Sequence, residues 1–185
     1  MARWMITVDP KNSLKAELKG PGLQIECVLG KNGVIAASQK TEGDSKTPLG
    51  IYPVRRVFYR PDREVAPHTP VPVVSLSPDL GWCDDSEHSS YNRMIRLPNP
   101  ARHEDMWRED QLYDLGLIIG HNDDPVVPGA GSAIFIHVAK PATDDQRDKM
   151  PYKPTLGCVA MASDDLRLLI ANLKPNDKIA IIQEG

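Results

Sequence analysis

The 185-residue chain carries 22 basic and 25 acidic side chains, giving a net charge of −3 at pH 7, and 41% of its residues are hydrophobic. A chain of this length can bury a substantial core and is expected to form one domain. The near balance of charge, without a basic stripe, argues against a nucleic-acid partner. The longest apolar stretches are far too short to cross a membrane, so no membrane span is expected.

The N-terminal segment and the cysteines bear on cellular location. Residues 1–10 lack the apolar region and the small-residue cleavage site of a secretory signal. Three cysteines, Cys27, Cys83 and Cys158, are too few and too unevenly placed for a disulfide framework. We therefore expect a cytoplasmic protein; a periplasmic location is the alternative if a leader has been removed.

The first half of the chain is predicted to form short strands. Residues 23–29 alternate apolar and polar side chains, and the turn residues 30–33 lead into the apolar residues 34–37. This pattern predicts a β-hairpin. A loop rich in turn-forming residues, 43–50, then precedes a predicted strand at 51–59.

The segment 61–114 is predicted to be irregular, because seven prolines interrupt it. A short helix is expected at about 103–111. The aromatic residues of the segment are expected to form a satellite core beneath a long loop, or alternatively a lid over a cleft. They are Trp82, Tyr91, Trp107 and Tyr113.

Strands are predicted again at 115–120 and 133–138, followed by a polar loop at 140–153. Ser163 is expected to cap a helix whose apolar stripe includes Leu166 and Leu169. A closing strand is predicted at 178–182. The predicted fold class is therefore mainly β with a few short helices.

The residues that best fit a chemical function are His137, at the end of an apolar strand, and Cys158, which follows Gly157. Cysteine acyl transfer requires a thiol and an imidazole that activates it. A glycine beside the thiol lets a substrate carbonyl approach backbone N–H groups. The alternative is that both side chains are buried packing residues, as most free cysteines are.

The alternative to cysteine acyl transfer that involves a metal is a zinc site built from His121, His137 and Cys158. No C-x-x-C or H-E-x-x-H spacing accompanies these residues. The glycines at 129–131 lack the further residues that a phosphate-binding loop requires. We therefore expect no metal and no cofactor.

Three segments in order resemble the L,D-transpeptidase catalytic domain family, the YkuD-type fold. They are Thr-Pro-Leu-Gly at residues 47–50, the strand ending in His137, and Thr-Leu-Gly-Cys at residues 155–158. The resemblance spans about residues 20–183. It implies a β-sandwich or barrel-like α+β fold, with one catalytic domain over residues 1–185 and a lid-like insertion at about 61–114.

The chain departs from the family pattern at two positions. Leu156 stands where many members have histidine before Gly-Cys, and Ala160 stands where many have arginine or asparagine. Arg93 and Lys153 are candidate substitutes for the missing cation, with solvated surface charges as the alternative. The expected substrate-binding residues are Thr155, His121, Arg93, Tyr91 and Lys153.

The resemblance implies a peptidoglycan stem tetrapeptide as substrate, cut between the L-centre of a diamino acid and D-alanine. In this interpretation His137 deprotonates Cys158, which attacks the carbonyl and forms a thioester. The backbone N–H groups of Gly157 and Cys158 would bind the oxyanion, and the Val138 carbonyl would orient His137.

Three functions remain open at this point. Without an export signal we favour water as the acceptor, which makes the protein an L,D-carboxypeptidase of murein recycling. The first alternative is an L,D-transpeptidase that forms 3→3 cross-links or exchanges D-amino acids. The second is a non-catalytic wall-binding module, suggested by the residue at Ala160.

Overall fold

The computed structural model describes residues 3–143 and 150–184, so residues 144–149 of the predicted polar loop lie outside it. The described residues form thirteen strands, one α-helix and a 3-10 turn at Ala37–Gln39. The strands are β1 (Trp4–Asp9), β2 (Asn12–Gly20), β3 (Leu23–Val28), β4 (Val34–Ala36), β5 (Thr47–Tyr59), β6 (Val73–Ser75), β7 (Leu80–Cys83), β8 (Met94–Arg96), β9 (His103–Asp105), β10 (Leu115–Ile119), β11 (Phe135–Val138), β12 (Val159–Met161) and β13 (Lys178–Ile182). The helix α1 is Ser163–Ala171.

Eight strands close into a barrel-like ring in the order β10-β11-β12-β3-β2-β1-β13-β5, with β5 pairing back to β10. Neighbours in the ring are antiparallel except for two parallel pairs, β1 with β13 and β11 with β12. Closure leaves these eight strands without a free edge. The structure confirms the predicted mainly-β, barrel-like fold class.

The helix α1 covers part of the main core. Leu166 and Leu169 of its predicted apolar stripe are fully buried among the residues that line the inside of the ring. The exposed face of α1 carries the charged residues Asp164 and Arg167 together with Leu168, which is 49% exposed. Among the described residues, no helix has the length and apolarity that would let it traverse a lipid bilayer.

The segment 61–114 holds a second, three-stranded sheet in the order β8-β7-β9. An aromatic cluster joins this sheet to the ring: Trp82 of β7 lies 4.9 Å from Phe135 of β11, and Phe135 lies 5.6 Å from Phe58 of β5, measured between ring centroids. Edge-to-face contacts of this kind add to the hydrophobic stabilisation of a core. Tyr113 belongs to the same cluster. Trp82, Tyr113 and the partly buried Trp107 thus form a satellite core, as expected, whereas Tyr91 lies outside this cluster.

The predicted hairpin at 23–37 is wrong. β4 does not return along β3 but pairs in parallel with β5, Val34 lying opposite Thr47. The backbone between the two strands is engaged elsewhere, because the Gly30 N–H donates to Thr47 Oγ1 at 2.8 Å and the Lys31 N–H donates to the Thr155 carbonyl at 2.9 Å. These long-range bonds direct the chain away from β3.

Three further local predictions differ from the structure. The expected helix at 103–111 is wrong, because residues 103–105 form β9 and pair with β7, so tertiary pairing overrides local propensity. Ser163 is the first helical residue rather than the cap; Ala162 holds the N-cap position without a side-chain bond. The segment 61–114 is not wholly irregular, since it contains β6 to β9. The strands β1, β2 and β12 were not predicted.

The turn before β13 holds the N-terminal strand in place. Asp177 Oδ2 accepts hydrogen bonds from Trp4 Nε1 at 2.8 Å, from Arg3 Nη1 at 2.9 Å and from the Lys174 N–H at 2.9 Å. Trp4 is fully buried, so its indole N–H has no access to water. This carboxylate therefore supports the parallel pairing of β1 with β13.

We predict that Asp177→Ala lowers the free energy of unfolding by about 2–3 kcal/mol, because it leaves a buried N–H donor without a partner. Urea unfolding followed by circular dichroism measures the change. Glu87→Ala, which removes an exposed carboxylate, is the control and should change stability by less than about 0.5 kcal/mol. Equal effects of the two variants would contradict the role given to Asp177.

Candidate active site

The parallel pairing of β11 with β12 brings His137 and Cys158 to one cavity. His137 lies opposite Ala160 in this pairing. Cys158 directly precedes β12, and its thiol packs in one cluster with Phe135 and Tyr113, whose ring lies against His137. Cys158, Ala160 and His137 line one cavity of about 600 Å³.

Gly157 permits the turn that presents the thiol. Its φ of +135° belongs to a region that residues with a side chain rarely adopt, and a Cβ there would lie 3.1 Å from the Lys46 carbonyl oxygen. Thr155 Oγ1 accepts the Gly157 N–H at 3.1 Å and donates to the Cys158 carbonyl at 2.7 Å. Thr47 Oγ1 donates to the same carbonyl at 3.3 Å. The Thr-Pro-Leu-Gly segment therefore supports the turn that holds the nucleophile candidate.

The Cys158 thiol is buried and hydrogen-bonded to the segment before β11. Its Sγ donates to the Ala133 carbonyl at 3.1 Å and accepts the Phe135 N–H at 3.4 Å. Burial raises the pKa of the Cys158 thiol to about 12, and the negative charge of Glu104 acts in the same direction. The thiol is therefore protonated at neutral pH.

The His137 imidazole is held in one tautomer by the backbone. Nδ1 lies 2.8 Å from the Val138 carbonyl oxygen. Because a carbonyl can only accept, Nδ1 carries the proton and Nε2 is left with its lone pair. Burial lowers the pKa of His137 to about 4, so the ring is neutral at pH 7. The resting pair is thus a neutral thiol and a neutral base.

The two backbone N–H groups expected to bind an oxyanion differ in their availability. The Gly157 N–H is already engaged by Thr155 Oγ1. The Cys158 N–H makes no hydrogen bond within residues 3–143 and 150–184. The Cys158 N–H is therefore the donor that a substrate can reach without breaking an existing bond.

The expected substrate-binding residues fall into two groups. Thr155 and Lys153 line the cavity with Cys158. Tyr91 donates its hydroxyl to Glu42, which also lines that cavity. Arg93 and His121 do not: they line a second cavity of about 540 Å³.

Ile134 contributes to the walls of both cavities, which are therefore neighbours. Arg93 Nη2 donates to the Asp123 carbonyl at 2.6 Å, and His121 Nε2 lies 3.1 Å from the Ala130 carbonyl oxygen. His121 thus lines a different cavity from Cys158 and His137, the other two residues of the zinc site considered above. Within the described residues, no cluster of three or more His, Cys, Asp or Glu side chains is suited to a metal ion.

Several charged residues that line the cavity with Cys158 and His137 were not predicted from the sequence, and four of them matter for its chemistry. They are Lys40, Asp84, Glu104 and Arg108. Lys40 is almost fully buried, and its Nζ lies 2.6 Å from Asp44 Oδ1. The others come from the segment 61–114 that was predicted to be irregular. No local pattern distinguishes these residues from surface charges, so only the fold assigns them to the site.

Comparison with known protein families gives a match. The family model described as the L,D-transpeptidase catalytic domain (YkuD) matches residues 3–181. The chain belongs to the L,D-transpeptidase catalytic domain (YkuD) family. A search of curated proteins finds no match.

Two solved structures are similar to the chain. An L,D-transpeptidase from Mycobacterium smegmatis has 10% sequence identity and a TM-score of 0.43, over 98% of this chain and 59% of that chain. L,D-transpeptidase 1 from Mycobacterium tuberculosis has 10% identity and a TM-score of 0.39, over 99% of this chain and 63% of that chain. The chain thus spans about three-fifths of the length of these two proteins.

We predict that Gly157→Ala lowers the free energy of unfolding by about 1–3 kcal/mol and changes the alkylation rate of Cys158. The strained φ and the contact with the Lys46 carbonyl both oppose the added Cβ. Urea unfolding and peptide mapping after iodoacetamide treatment measure the two effects. Gly129→Ala is the matched control, since Gly129 has a φ of +77° but open space around its Cβ position. Identical losses in the two variants would contradict the close approach at Gly157.

Proposed function

We propose that the protein is a cysteine-dependent L,D-peptidase that releases D-alanine from peptidoglycan stem peptides. The observation that carries this proposal is the placement of Cys158 and His137 at one cavity, in a chain of the L,D-transpeptidase catalytic domain family. The family supports an enzyme that acts on a peptidoglycan peptide. The cysteine mechanism and the choice of acceptor are our inference.

Acylation begins when a substrate carbonyl enters the cavity. The Cys158 S–H leaves the Ala133 carbonyl and transfers its proton to Nε2 of His137, while Sγ forms a bond to the carbonyl carbon. The negative oxygen accepts the free Cys158 N–H. The Val138 carbonyl holds Nδ1–H and so stabilises the imidazolium as it forms.

Collapse of this intermediate breaks the C–N bond to D-alanine. Nε2–H of the imidazolium protonates the departing amine, and the acyl group remains on Sγ as a thioester. Water then gives a proton to Nε2 of His137 and adds to the thioester carbonyl. When the C–S bond breaks, the thiolate recovers that proton. One peptide bond is hydrolysed, and thiol and imidazole return to their neutral forms.

The walls of the catalytic cavity favour water as the acceptor. The segment 61–114 contributes Asp84, Glu104 and Arg108 to these walls, and the Cys158 residue is only 8% exposed. A second stem peptide would have to reach the buried Cys158 while the first acyl group is attached to it, whereas a water molecule needs little space. We propose an L,D-carboxypeptidase of murein recycling, in the cytoplasm, where three unpaired cysteines are common.

The alternative is an L,D-transpeptidase that forms 3→3 cross-links or exchanges D-amino acids. It is favoured by the membership of the chain in the L,D-transpeptidase catalytic domain family. Its acylation half-reaction is the same, and an amine replaces water in the second half.

We predict that Cys158→Ala lowers D-alanine release from a stem tetrapeptide by at least about 10³-fold, because the nucleophile is lost. Mass spectrometry of the products measures release and identifies the acceptor: tripeptide with free D-alanine indicates hydrolysis, and peptide dimers indicate transpeptidation. Cys83→Ala, which removes a buried thiol of the small sheet, is the control and should retain activity. Release that survives Cys158→Ala contradicts the mechanism. A protein that neither releases D-alanine nor becomes acylated by a carbapenem is a wall-binding module instead.

The pH dependence of kcat/KM tests whether the resting site holds a neutral His137 and a neutral Cys158. Because the pKa of His137 is lowered to about 4 and that of Cys158 is raised to about 12, the neutral base and thiol coexist across the whole neutral range. We predict that kcat/KM is flat from about pH 8 to pH 5 and falls only as His137 is protonated, whereas an unperturbed imidazole would lose activity from about pH 6.5. Initial rates measure this profile, with circular dichroism to confirm folding at each pH. An acid limb centred near pH 6.5 would contradict the buried neutral base.

A further inference from the structure

Glu104 presents an unfilled acceptor to the catalytic cavity. It lies in β9, opposite Trp82 of β7, and its carboxylate is among the groups that line the cavity. Oε1 accepts the Tyr113 hydroxyl at 2.7 Å and Arg108 Nη1 at 3.1 Å. Oε2 accepts no hydrogen bond from any residue that the structure describes. Oε1 is therefore fixed in place, while Oε2 remains open to a ligand.

The charge of Glu104 is not cancelled by Arg108. The guanidinium of Arg108 is bonded through Nε to Asp110 Oδ1 at 2.9 Å and through Nη2 to Asp110 Oδ2 at 2.6 Å. One guanidinium is thus shared between two carboxylates. Asp84 also lines the cavity, and its carboxylate is paired with Arg102, whose Nε lies 2.9 Å from Asp84 Oδ1. Burial raises the pKa of Glu104, and the hydrogen bond from Tyr113 opposes this shift. Glu104 therefore offers the cavity a carboxylate whose only ion-pair partner among the described residues is shared with Asp110.

The carboxylate is connected to the reacting groups through Tyr113. The ring of Tyr113 packs edge-to-face on His137, with 5.5 Å between centroids, and on Phe135 at 5.7 Å. Phe135 in turn donates its N–H to Cys158 Sγ. A cation bound to Glu104 would fill Oε2 and also offset the negative charge that disfavours ionisation of the thiol.

We propose that Glu104 binds the side-chain ammonium of the diamino acid in the stem peptide, so that the site selects peptides whose diamino acid carries a free amine. This assignment rests on the proposed function. It names a residue that determines specificity and leaves the bond-making roles with Cys158 and His137. A charge-assisted hydrogen bond to a fixed carboxylate is the recognition that an ammonium group requires.

Binding measured without turnover tests this assignment. Isothermal titration calorimetry on Cys158→Ala compares a stem tetrapeptide that has L-lysine as its diamino acid with the same peptide acetylated at the lysine Nε. The amine peptide is expected to bind about tenfold more tightly, because acetylation removes the charge. Adding Glu104→Gln should abolish the difference while preserving an oxygen acceptor for Tyr113.

Asp105→Asn is the matched control, because Asp105 is the next residue of β9, is exposed, and does not line the cavity. It should preserve the tenfold preference. Equal affinities for the two peptides, a preference that survives Glu104→Gln, or binding of neither peptide would overturn the assignment. The peptide comparison with Glu104 intact does not depend on how well Glu104→Gln folds.

D-alanine release by the unmodified protein separates this inference from the proposed function. If the amine preference is present but no D-alanine is released, the proposed function is wrong and the ammonium site stands. If D-alanine is released equally fast from both peptides and their affinities are equal, the ammonium site is wrong and the proposed function stands.

Discussion

The parallel pairing of β11 with β12 is the constraint on which the active site depends. It fixes His137 opposite Ala160, and it places Cys158, the residue before β12, beside Phe135, whose N–H donates to Cys158 Sγ. β10 supports this pair on one side and β3 on the other, within the closed ring. Because the ring has no free edge there, neither strand can shift its register without breaking pairing on both sides. A shift of one residue would turn His137 to the opposite face and leave the thiol without a base.

The same burial that makes this geometry rigid sets its chemistry. Burial disfavours both the thiolate and the imidazolium, so the resting site holds a neutral pair in which Cys158 donates to the Ala133 carbonyl. In the mechanism that we propose, charge separation accompanies substrate binding, when the oxyanion meets the Cys158 N–H. The negative charge of Glu104 further disfavours the thiolate. In our proposal the side-chain ammonium of the substrate offsets this charge as it binds, which links recognition of the peptide to activation of the thiol.

The segment 61–114 shows where local patterns fail. Residues 103–105 begin the stretch that was predicted as a helix, but they form β9 because they pair with an edge of β7. Trp82 holds β7 against Phe135 of the ring. The same edge carries Glu104 into the cavity. Likewise, the turn at residues 30–33 has a good hairpin sequence, yet Thr47 and Thr155 capture its N–H groups from distant segments. In both cases a long-range hydrogen bond outweighs the local preference.

The mainly-β class, the strands β10, β11 and β13, and the candidate pair His137 and Cys158 could be predicted from the sequence, because alternation, turn residues and a glycine beside a thiol are local properties. The charges that face the thiol, and the strand β12 that follows it, emerge only from the folded chain. Arg93 and His121 lie at a separate cavity, whereas Glu104 and Arg108 lie with Cys158. The physical reason is that a cavity is lined by residues from strands and loops far apart in the chain, and their meeting depends on how the ring closes and where the small sheet packs against it.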